Sequence, residues 1–277
     1  MLADTSIKPY SRILVFDSGV GGLSVLKEIS RHSPNAELVF ASDNAAFPYG
    51  TLSEEHLMER VIKVVGRLIE KTNPSIAVIA CNSASTLVLE ELRHRFDIPF
   101  VGVVPAIKPA AKQSKSKVIG LLATPGTIER SYTDALIADF ASDCTLVRVG
   151  SSELVQMAEQ KLRGIAPDKA MLKEIVAPFS EQQDLDVIVL ACTHFPLLIE
   201  ELEPLLPAKV HWIDSGEAIA RRVESLLNSN SNLLNFNRSE ETQLHHQALM
   251  TTEDDSLEAL NQQAKSFGLP AFDILSL

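Results

Sequence analysis

The stretch "PSIAVIACNSAS" (74–85) is an unbroken apolar run that ends at Cys81, where polar residues begin. The stretch "LDVIVLACTHFP" (185–196) repeats the pattern and ends at Cys192. Consecutive apolar and β-branched residues are typical of a strand that is covered on both faces. Both stretches therefore predict buried strands of a mainly parallel sheet, each with a cysteine at its carboxyl end.

Other apolar runs alternate with helical patterns along the chain, which predicts an α/β fold with mainly parallel sheets flanked by helices. The clearest helical pattern covers residues 53–71, and Thr51 with Glu54 is predicted to form its capping box. Residues 226–243 are rich in Asn and Ser and predict a surface linker, followed by one more strand and one more helix. The remaining predicted strands cover residues 12–16, 37–42, 100–104, 117–123, 145–149 and 210–214.

The motifs of the first half recur in the same order in the second half. Asp17 ends one strand and opens a loop, and Thr124 stands at the matching place in "IGLLATPGT". Cys81 and Cys192 follow in the same order. The simplest interpretation is two domains of one topology, with the cysteines at the strand ends where ligands bind in open α/β sheets.

Composition excludes several classes of protein. The chain has 277 residues, 45% hydrophobic and 22% charged, and a net charge of −11, which disfavours broad contact with nucleic acid or anionic lipid but allows a local basic pocket. No apolar run is long enough for a membrane helix, and the first residues do not resemble a secretory signal. Three widely spaced cysteines do not predict a disulfide framework, so we expect a reducing cytoplasm.

Two loops are candidates for ligand binding. "FDSGVGGLS" (16–24) approaches the dinucleotide fingerprint, but Ser24 replaces its last glycine and Asp17 would repel a phosphate. Asp17 better suits a protonated amine or the orientation of a thiol, and a plain strand-to-helix turn remains the alternative. In the second loop, Tyr49 and Gly50 would offer a hydroxyl and an amide to a ligand, or belong to a packed turn.

The cysteines are the most informative residues. A lone cysteine is usually a small buried apolar residue, and Cys144 is interpreted in that way. Cys81 and Cys192, however, are each followed at once by residues with hydrogen-bond donors, and helix amides there would favour a thiolate. Zinc ligation by these cysteines with Asp17 and His194 is the alternative, but the usual chelating spacing is missing, so no metal is expected.

Two thiols that face each other from opposite domains suggest one chemistry. A thiolate removes an acidic hydrogen from one face of a chiral carbon, and the opposite thiol delivers a proton to the other face. Configuration is inverted, and the proton inventory requires no cofactor.

Eight motifs in register carry a family resemblance over residues 12–223, in the order FDSGVGGLSVL, DNAAFPYG, ACNSAST, GVVPAIKPA, LLATPGT, SELVQMAEQKLRG, LACTHFPLL and DSGEAIARR. The chain resembles the glutamate racemases, in particular the gammaproteobacterial form. The resemblance implies two similar α/β domains with the active site in the cleft between them. The domains are expected at residues 1–106 and 107–215, with residues 216–277 returning to the first.

The resemblance also implies an activity: cofactor-independent interconversion of L- and D-glutamate, which supplies D-glutamate for peptidoglycan. Cys81 and Cys192 would be the two acid–base groups. Asp17 would assist Cys81, and His194 would assist Cys192 with Glu159, for which Glu153 is the nearest rival. The substrate would be held by Asp17, Ser18, Tyr49, Gly50, Asn82, Ser83, Thr193 and His194.

Three further expectations follow from the resemblance. Ser83 replaces the usual Thr of this motif, which keeps the hydroxyl and removes a methyl group. UDP-N-acetylmuramoyl-L-alanine is expected to be an activator, and the protein is expected to be a monomer or a homodimer. A non-catalytic amino-acid-binding module and an aspartate racemase of the same fold remain the alternatives.

Overall fold

The computed structural model describes residues 11–229 and 244–277, which build two parallel sheets flanked by helices. The six-stranded sheet contains β1 (Arg12–Asp17), β2 (Glu37–Ser42), β3 (Ile76–Ile79), β4 (Phe100–Gly102), β9 (Gln247–Met250) and β10 (Phe272–Ile274). The four-stranded sheet contains β5 (Val118–Ala123), β6 (Thr145–Gly150), β7 (Val187–Ala191) and β8 (His211–Ile213). Each sheet with its helices is called the first unit and the second unit below.

Helices cover the faces of both sheets. In chain order the α-helices are α1 (Leu23–His32), α2 (Glu54–Thr72), α3 (Asn82–Arg95), α4 (Ile107–Gln113), α5 (Pro125–Glu129), α6 (Ser131–Phe140), α7 (Glu153–Leu162), α8 (Lys169–Ser180), α9 (Ile199–Leu202), α10 (Gly216–Ser229) and α11 (Leu257–Ser266). Short 3₁₀ helices lie at Asn44–Ala46, Tyr49–Thr51, Phe195–Leu198 and Glu203–Leu205.

The two sheets share one topology. The strand order is β10-β9-β2-β1-β3-β4 in the first sheet and β6-β5-β7-β8 in the second, and the paired strands are parallel. The segment β2-β1-β3-β4 thus corresponds strand for strand to the whole second sheet. This confirms the predicted fold of two similar α/β units. In this correspondence β3, which precedes Cys81, occupies the same place in its sheet as β7, which precedes Cys192.

The central strands are buried on both faces, as their apolar runs predict. In β3, Val78 belongs to the apolar cluster under α1 and α10, whereas its neighbours Ala77 and Ile79 belong to the cluster under α2 and α3. Strand β7 is likewise buried at every position. Folding removes the apolar surface on both faces of these strands from contact with water, which stabilises them. The strands therefore form a rigid base for the residues that follow them.

The end of the chain joins the first sheet. Helix α10 follows the second sheet, yet its Ile219 and Val223 lie in one apolar cluster with Leu26 of α1. Strand β9 then pairs with β2, and β10 pairs with β9. The exact domain limits, 1–106, 107–215 and 216–277, remain a prediction.

Three local expectations differ from the structure. Residues 226–229 continue α10 because Leu227 is buried in the core; the rest of the expected linker, 230–243, lies outside the described residues. The final strand β10 was not expected. The N-cap of α2 is Ser53, whose hydroxyl accepts from the His56 amide at 3.4 Å, whereas Thr51 donates to the Pro48 carbonyl.

In the part of the chain that the structure describes, no helix is long and apolar enough to span a bilayer.

The corrected cap gives a prediction on stability. We expect Ser53→Ala to lower the free energy of unfolding by about 1 kcal/mol, because the first turn of α2 loses an acceptor for its amides. Thr51→Ala, as the matched control, should change it by less than about 0.5 kcal/mol. Urea denaturation followed by circular dichroism measures both, and a Thr51 variant that is the less stable of the two would restore the original capping box.

Candidate active site

A cavity lies where the carboxyl ends of the two sheets meet. Cys81, Cys192 and all eight residues expected to hold the substrate line it. The first cysteine directly precedes α3, and the second follows β7. Both lie beside the pair of central strands where the strand order of their sheet reverses, which is the usual ligand site of this architecture.

Cys81 has a carboxylate and a hydroxyl as neighbours. Its sulfur lies 3.9 Å from the hydroxyl of Ser18, and it also interacts with the fully buried Asp17. Burial, and then the negative charge of Asp17, raise the pKa of the Cys81 thiol well above its usual value. The Ala84 amide of α3 lowers the pKa of Cys81, as the sequence predicted for helix amides, but burial and Asp17 outweigh it. The expected thiolate is therefore wrong for Cys81, which is held as a protonated thiol, the form that can donate a proton.

Cys192 has a different neighbour, a buried imidazole. Its sulfur lies 3.8 Å from Nδ1 of His194, and Nε2 of His194 lies 2.7 Å from Oε1 of Glu159. Burial lowers the pKa of His194, but hydrogen bonds and charges from Cys192 and Glu159 outweigh it and raise the pKa well above its usual value. A protonated imidazole beside a thiol stabilises the thiolate.

Glu159 carries the negative charge of this arrangement. Burial alone would raise its pKa, yet the hydrogen bond and charge of His194, with bonds from Arg163 and the Val20 amide, bring the pKa down to about 2. The Val20 amide donates to Oε1 at 2.7 Å from the loop after β1, so the first unit contributes directly to a carboxylate of the second unit. Glu159 stays ionised at any pH near neutrality.

Glu153, the rival helper, lies elsewhere. It is exposed and accepts a hydrogen bond of 2.8 Å from the hydroxyl of Ser151. The two glutamates lie on different faces of α7 because six residues do not complete a whole number of helical turns. The contact with His194 thus favours Glu159 as the helper.

Two glycines of the loop after β1 allow the two units to pack closely against each other. A Cβ atom on Gly19 would clash with the carboxylate of Glu159, and one on Gly21 would clash with the imidazole of His194. The carboxylate of Asp17 accepts from the amides of Ser18 at 2.7 Å and Gly22 at 2.5 Å. A negative charge therefore already occupies the loop amides that a phosphate would need, which rules against the dinucleotide interpretation.

The residues expected to bind the substrate present donors to the cavity. Among the residues that the structure describes, the side-chain nitrogen of Asn82 is buried without a hydrogen-bond partner, which leaves a donor for a ligand. The hydroxyl of Ser83 lies 3.4 Å from that of Thr124, and the hydroxyl of Thr193 donates to Asp17 at 3.1 Å. Buried polar groups are costly unless they are paired, so the unpaired Asn82 indicates a polar ligand.

Tyr49 differs from the expectation in one respect. Its hydroxyl is not a free donor but already donates to Asp43 at 2.5 Å. Asp43 is in turn held by the guanidinium of Arg60 at 2.6 and 2.8 Å. The proton of the Tyr49 hydroxyl is therefore used by Asp43, although Tyr49 and Gly50 both line the cavity as expected.

Three residues at or beside the site were not predicted from the sequence. Thr124 lines the cavity, and its match to Asp17 in the repeat was the signal that could have identified it. Arg130 donates to the carbonyl of Ser83, and Arg163 donates to Glu159. A cation four residues after a glutamate on a helix is a known pairing, so Arg163 could also have been found. Nothing in the sequence indicated Arg130.

The metal alternative has no matching cluster. Within residues 11–229 and 244–277, no three His, Cys, Asp or Glu side chains are placed to hold one metal ion. Asp17, one of the proposed ligands, is instead bonded to loop amides and to Thr193.

Comparisons with known proteins identify the family of this chain. The family described as Asp/Glu/Hydantoin racemase matches residues 13–223. The glutamate racemase of Serratia proteamaculans is 51% identical over 233 residues, which cover 84% of this chain and 81% of that protein. The glutamate racemase of Yersinia enterocolitica is 45% identical over 276 residues, which cover 99% of this chain and 93% of that protein.

A solved structure gives the same result for the fold. The glutamate racemase of Escherichia coli, crystallised with L-glutamate and the activator UDP-MurNAc-Ala, is 43% identical with a TM-score of 0.89. The match covers 97% of this chain and 99% of that one. With two cysteines on one cavity between two matching sheets, the chain belongs to the Asp/Glu/hydantoin racemase family and is an isomerase.

Proposed function

We propose that the protein interconverts L- and D-glutamate by moving the α-proton between Cys81 and Cys192, without a cofactor. The observation that carries the proposal is the pair of unlike cysteines on one cavity. One is held as a thiol by burial and a carboxylate, and the other lies beside a buried imidazole. A thiol and a thiolate are the two forms that a one-carbon inversion requires.

The proton balance closes in each direction. The thiolate of Cys192 takes the α-proton of L-glutamate, and the electron pair stays on the α-carbon next to the carboxylate. The thiol of Cys81 then gives its proton to the opposite face, which yields D-glutamate. Cys81 ends as a thiolate and Cys192 as a thiol, so the next turnover of D-glutamate runs the same steps in reverse.

The neighbours of each cysteine have separate roles. His194 and Glu159 support Cys192, because a charged pair next to the sulfur stabilises the thiolate in a site with little water. Asp17 assists Cys81, because the negative charge of Asp17 helps the Cys81 thiol to keep its proton. The amino-acid head group would be held by the hydroxyl and amide groups of Ser18, Asn82, Ser83 and Thr193.

The wider context follows the relatives. The relatives from Serratia proteamaculans and Yersinia enterocolitica are named glutamate racemases, which supports glutamate over aspartate as the substrate and the supply of D-glutamate to peptidoglycan as the role. The Escherichia coli enzyme was crystallised with UDP-MurNAc-Ala, which supports the same activator here. Two free catalytic thiols need a reducing compartment, for which we propose the cytoplasm. A monomer or a homodimer remains the expectation.

A direct assay tests the substrate. We expect purified protein to bring L-glutamate to zero optical rotation, and to leave L-aspartate nearly unchanged. Faster racemisation of aspartate would make the protein an aspartate racemase. Binding of glutamate without racemisation would favour the amino-acid-binding module.

Cysteine variants test the division of labour between the two faces. The equilibrium constant between mirror images is one, so every variant must lose kcat/KM equally in both directions. Solvent exchange of the α-proton is free of this constraint, because one thiolate can remove and return a proton on its own face. We expect Cys192→Ser to keep exchange on D-glutamate and lose it on L-glutamate, and Cys81→Ser to show the reverse. Both should lose racemisation by at least about a hundredfold.

Proton NMR in heavy water measures this exchange with one enantiomer at a time. Cys144→Ser is the matched control, because this half-buried cysteine lies outside the cavity, and it should keep full activity. Equal loss of exchange on both enantiomers in both variants would contradict the assignment of one cysteine to each face.

Ser83 tests the substrate contacts. We expect Ser83→Ala to raise KM, because the substrate loses a hydrogen bond to a charged group. Such a bond contributes about 1.5–3 kcal/mol to the free energy of binding, and the change in kcat should be smaller. Ser83→Thr keeps the hydroxyl and should be nearly neutral. Steady-state kinetics decide the point: an alanine variant with the KM of the unmodified protein would remove this hydroxyl from the binding site.

A further inference from the structure

Arg163 lies directly behind the His194–Glu159 pair and connects it to the other unit. It is the first residue after α7, and its guanidinium donates to Oε2 of Glu159 at 2.5 Å and to Oδ2 of Asp254 at 2.7 Å. Asp254 lies in the segment after β9, which belongs to the first sheet. A continuous line of polar contacts thus runs from Cys192 through His194, Glu159 and Arg163 to the opposite unit.

The geometry suits a guanidinium and not a simple ammonium. The two nitrogens of one planar fork contact two different carboxylates at the same time, and Arg163 also donates to the backbone carbonyl of Glu159 at 2.9 Å. All three side chains are largely buried, with exposed fractions of 18% for Arg163, 6% for Glu159 and 15% for Asp254. Ion pairs with so little solvent around them are weakly screened.

Glu159 depends on contacts from both units. Its Oε1 accepts from His194 and from the Val20 amide of the first unit, and its Oε2 accepts from Arg163. Without Arg163, Oε2 would lose its charged donor, and a buried carboxylate that loses a donor becomes less stable as an anion. The charge and orientation of Glu159 therefore depend on the two units being together.

We propose that Arg163, anchored by Asp254, is a positioning residue that holds Glu159 charged against His194 and so supports Cys192 but not Cys81. The proposal extends the proposed function, because it gives one cysteine a support that the other lacks. Cys81 has Asp17 and Ser18 as its polar neighbours, whereas the line of contacts from Arg163 ends at Cys192. Arg163 also lines a second cavity, on the far side of Glu159 from Cys192, together with the charged residues Glu253 and Asp255.

A thiol-labelling experiment tests this support without any substrate. Iodoacetamide labelling of Cys192 is measured by mass spectrometry at pH 7 in a Cys81→Ser background, and labelling of Cys81 in a Cys192→Ser background. We expect Arg163→Met to slow the labelling of Cys192 by about three- to tenfold, because a Glu159 that has lost its charged donor stabilises less positive charge on His194 beside the sulfur. Labelling of Cys81 should change by less than about twofold.

Matched variants separate positioning from general stability. Arg163→Lys keeps the charge and should recover part of the labelling rate. Arg148→Met breaks the exposed ion pair with Asp134 in the same unit and should have no effect. Asp254→Asn should change Cys192 labelling when Arg163 is present and add nothing to Arg163→Met. Asp255→Asn, its exposed neighbour, should be neutral in both backgrounds.

Several outcomes would overturn the proposal. Labelling of Cys192 in Arg163→Met at or above the rate of the Arg148 control would show that Arg163 does not support the thiolate. Equal slowing of both cysteines would reduce Arg163 to a structural role. Because the assay needs no substrate, it remains decisive even if the protein fails to racemise glutamate, so the two proposals fail separately.

Discussion

Two parallel sheets of one topology present the carboxyl ends of their central strands to a single cavity. In a parallel sheet the chain returns through helices on the faces, so loops and helix N-termini gather at that one edge. The cysteines follow β3 and β7, which occupy the same place in their sheets. Every other feature of the site depends on this placement, because it sets two thiols on one cavity from separate rigid bases.

The same scaffold gives the thiols different partners. Asp17 is the last residue of β1, whereas Thr124 stands at the matching place directly after β5. The first unit therefore supplies a carboxylate next to Cys81, and the second unit places the His194–Glu159 pair next to Cys192. One topology used twice, with different polar residues at equivalent strand ends, gives two identical side chains unlike surroundings, which is what the proposed exchange of a proton between them requires.

Much of this was predictable from sequence. Apolar runs of β3 and β7 ending in cysteine indicated the strands, the repeat indicated the matching sheets, and the family resemblance indicated the site residues. The exceptions depend on contacts between distant segments. The glycines at positions 19 and 21 looked like a ligand loop, yet they make room for Glu159 and His194, which lie far along the chain. The bond between Tyr49 and Asp43 and the cap at Ser53 depend on local geometry that residue types alone do not determine.

The isotopic content of the first product formed in heavy water tests the central claim most directly. L-glutamate is incubated with the protein, and the reaction is stopped when about a tenth has been converted, a point early enough for reversal to be minor. If Cys192 removes one proton and Cys81 delivers another, the D-glutamate carries deuterium at the α-carbon while the remaining L-glutamate carries almost none. D-glutamate that retains its original α-proton would show that a single group moves the proton, and would contradict the account.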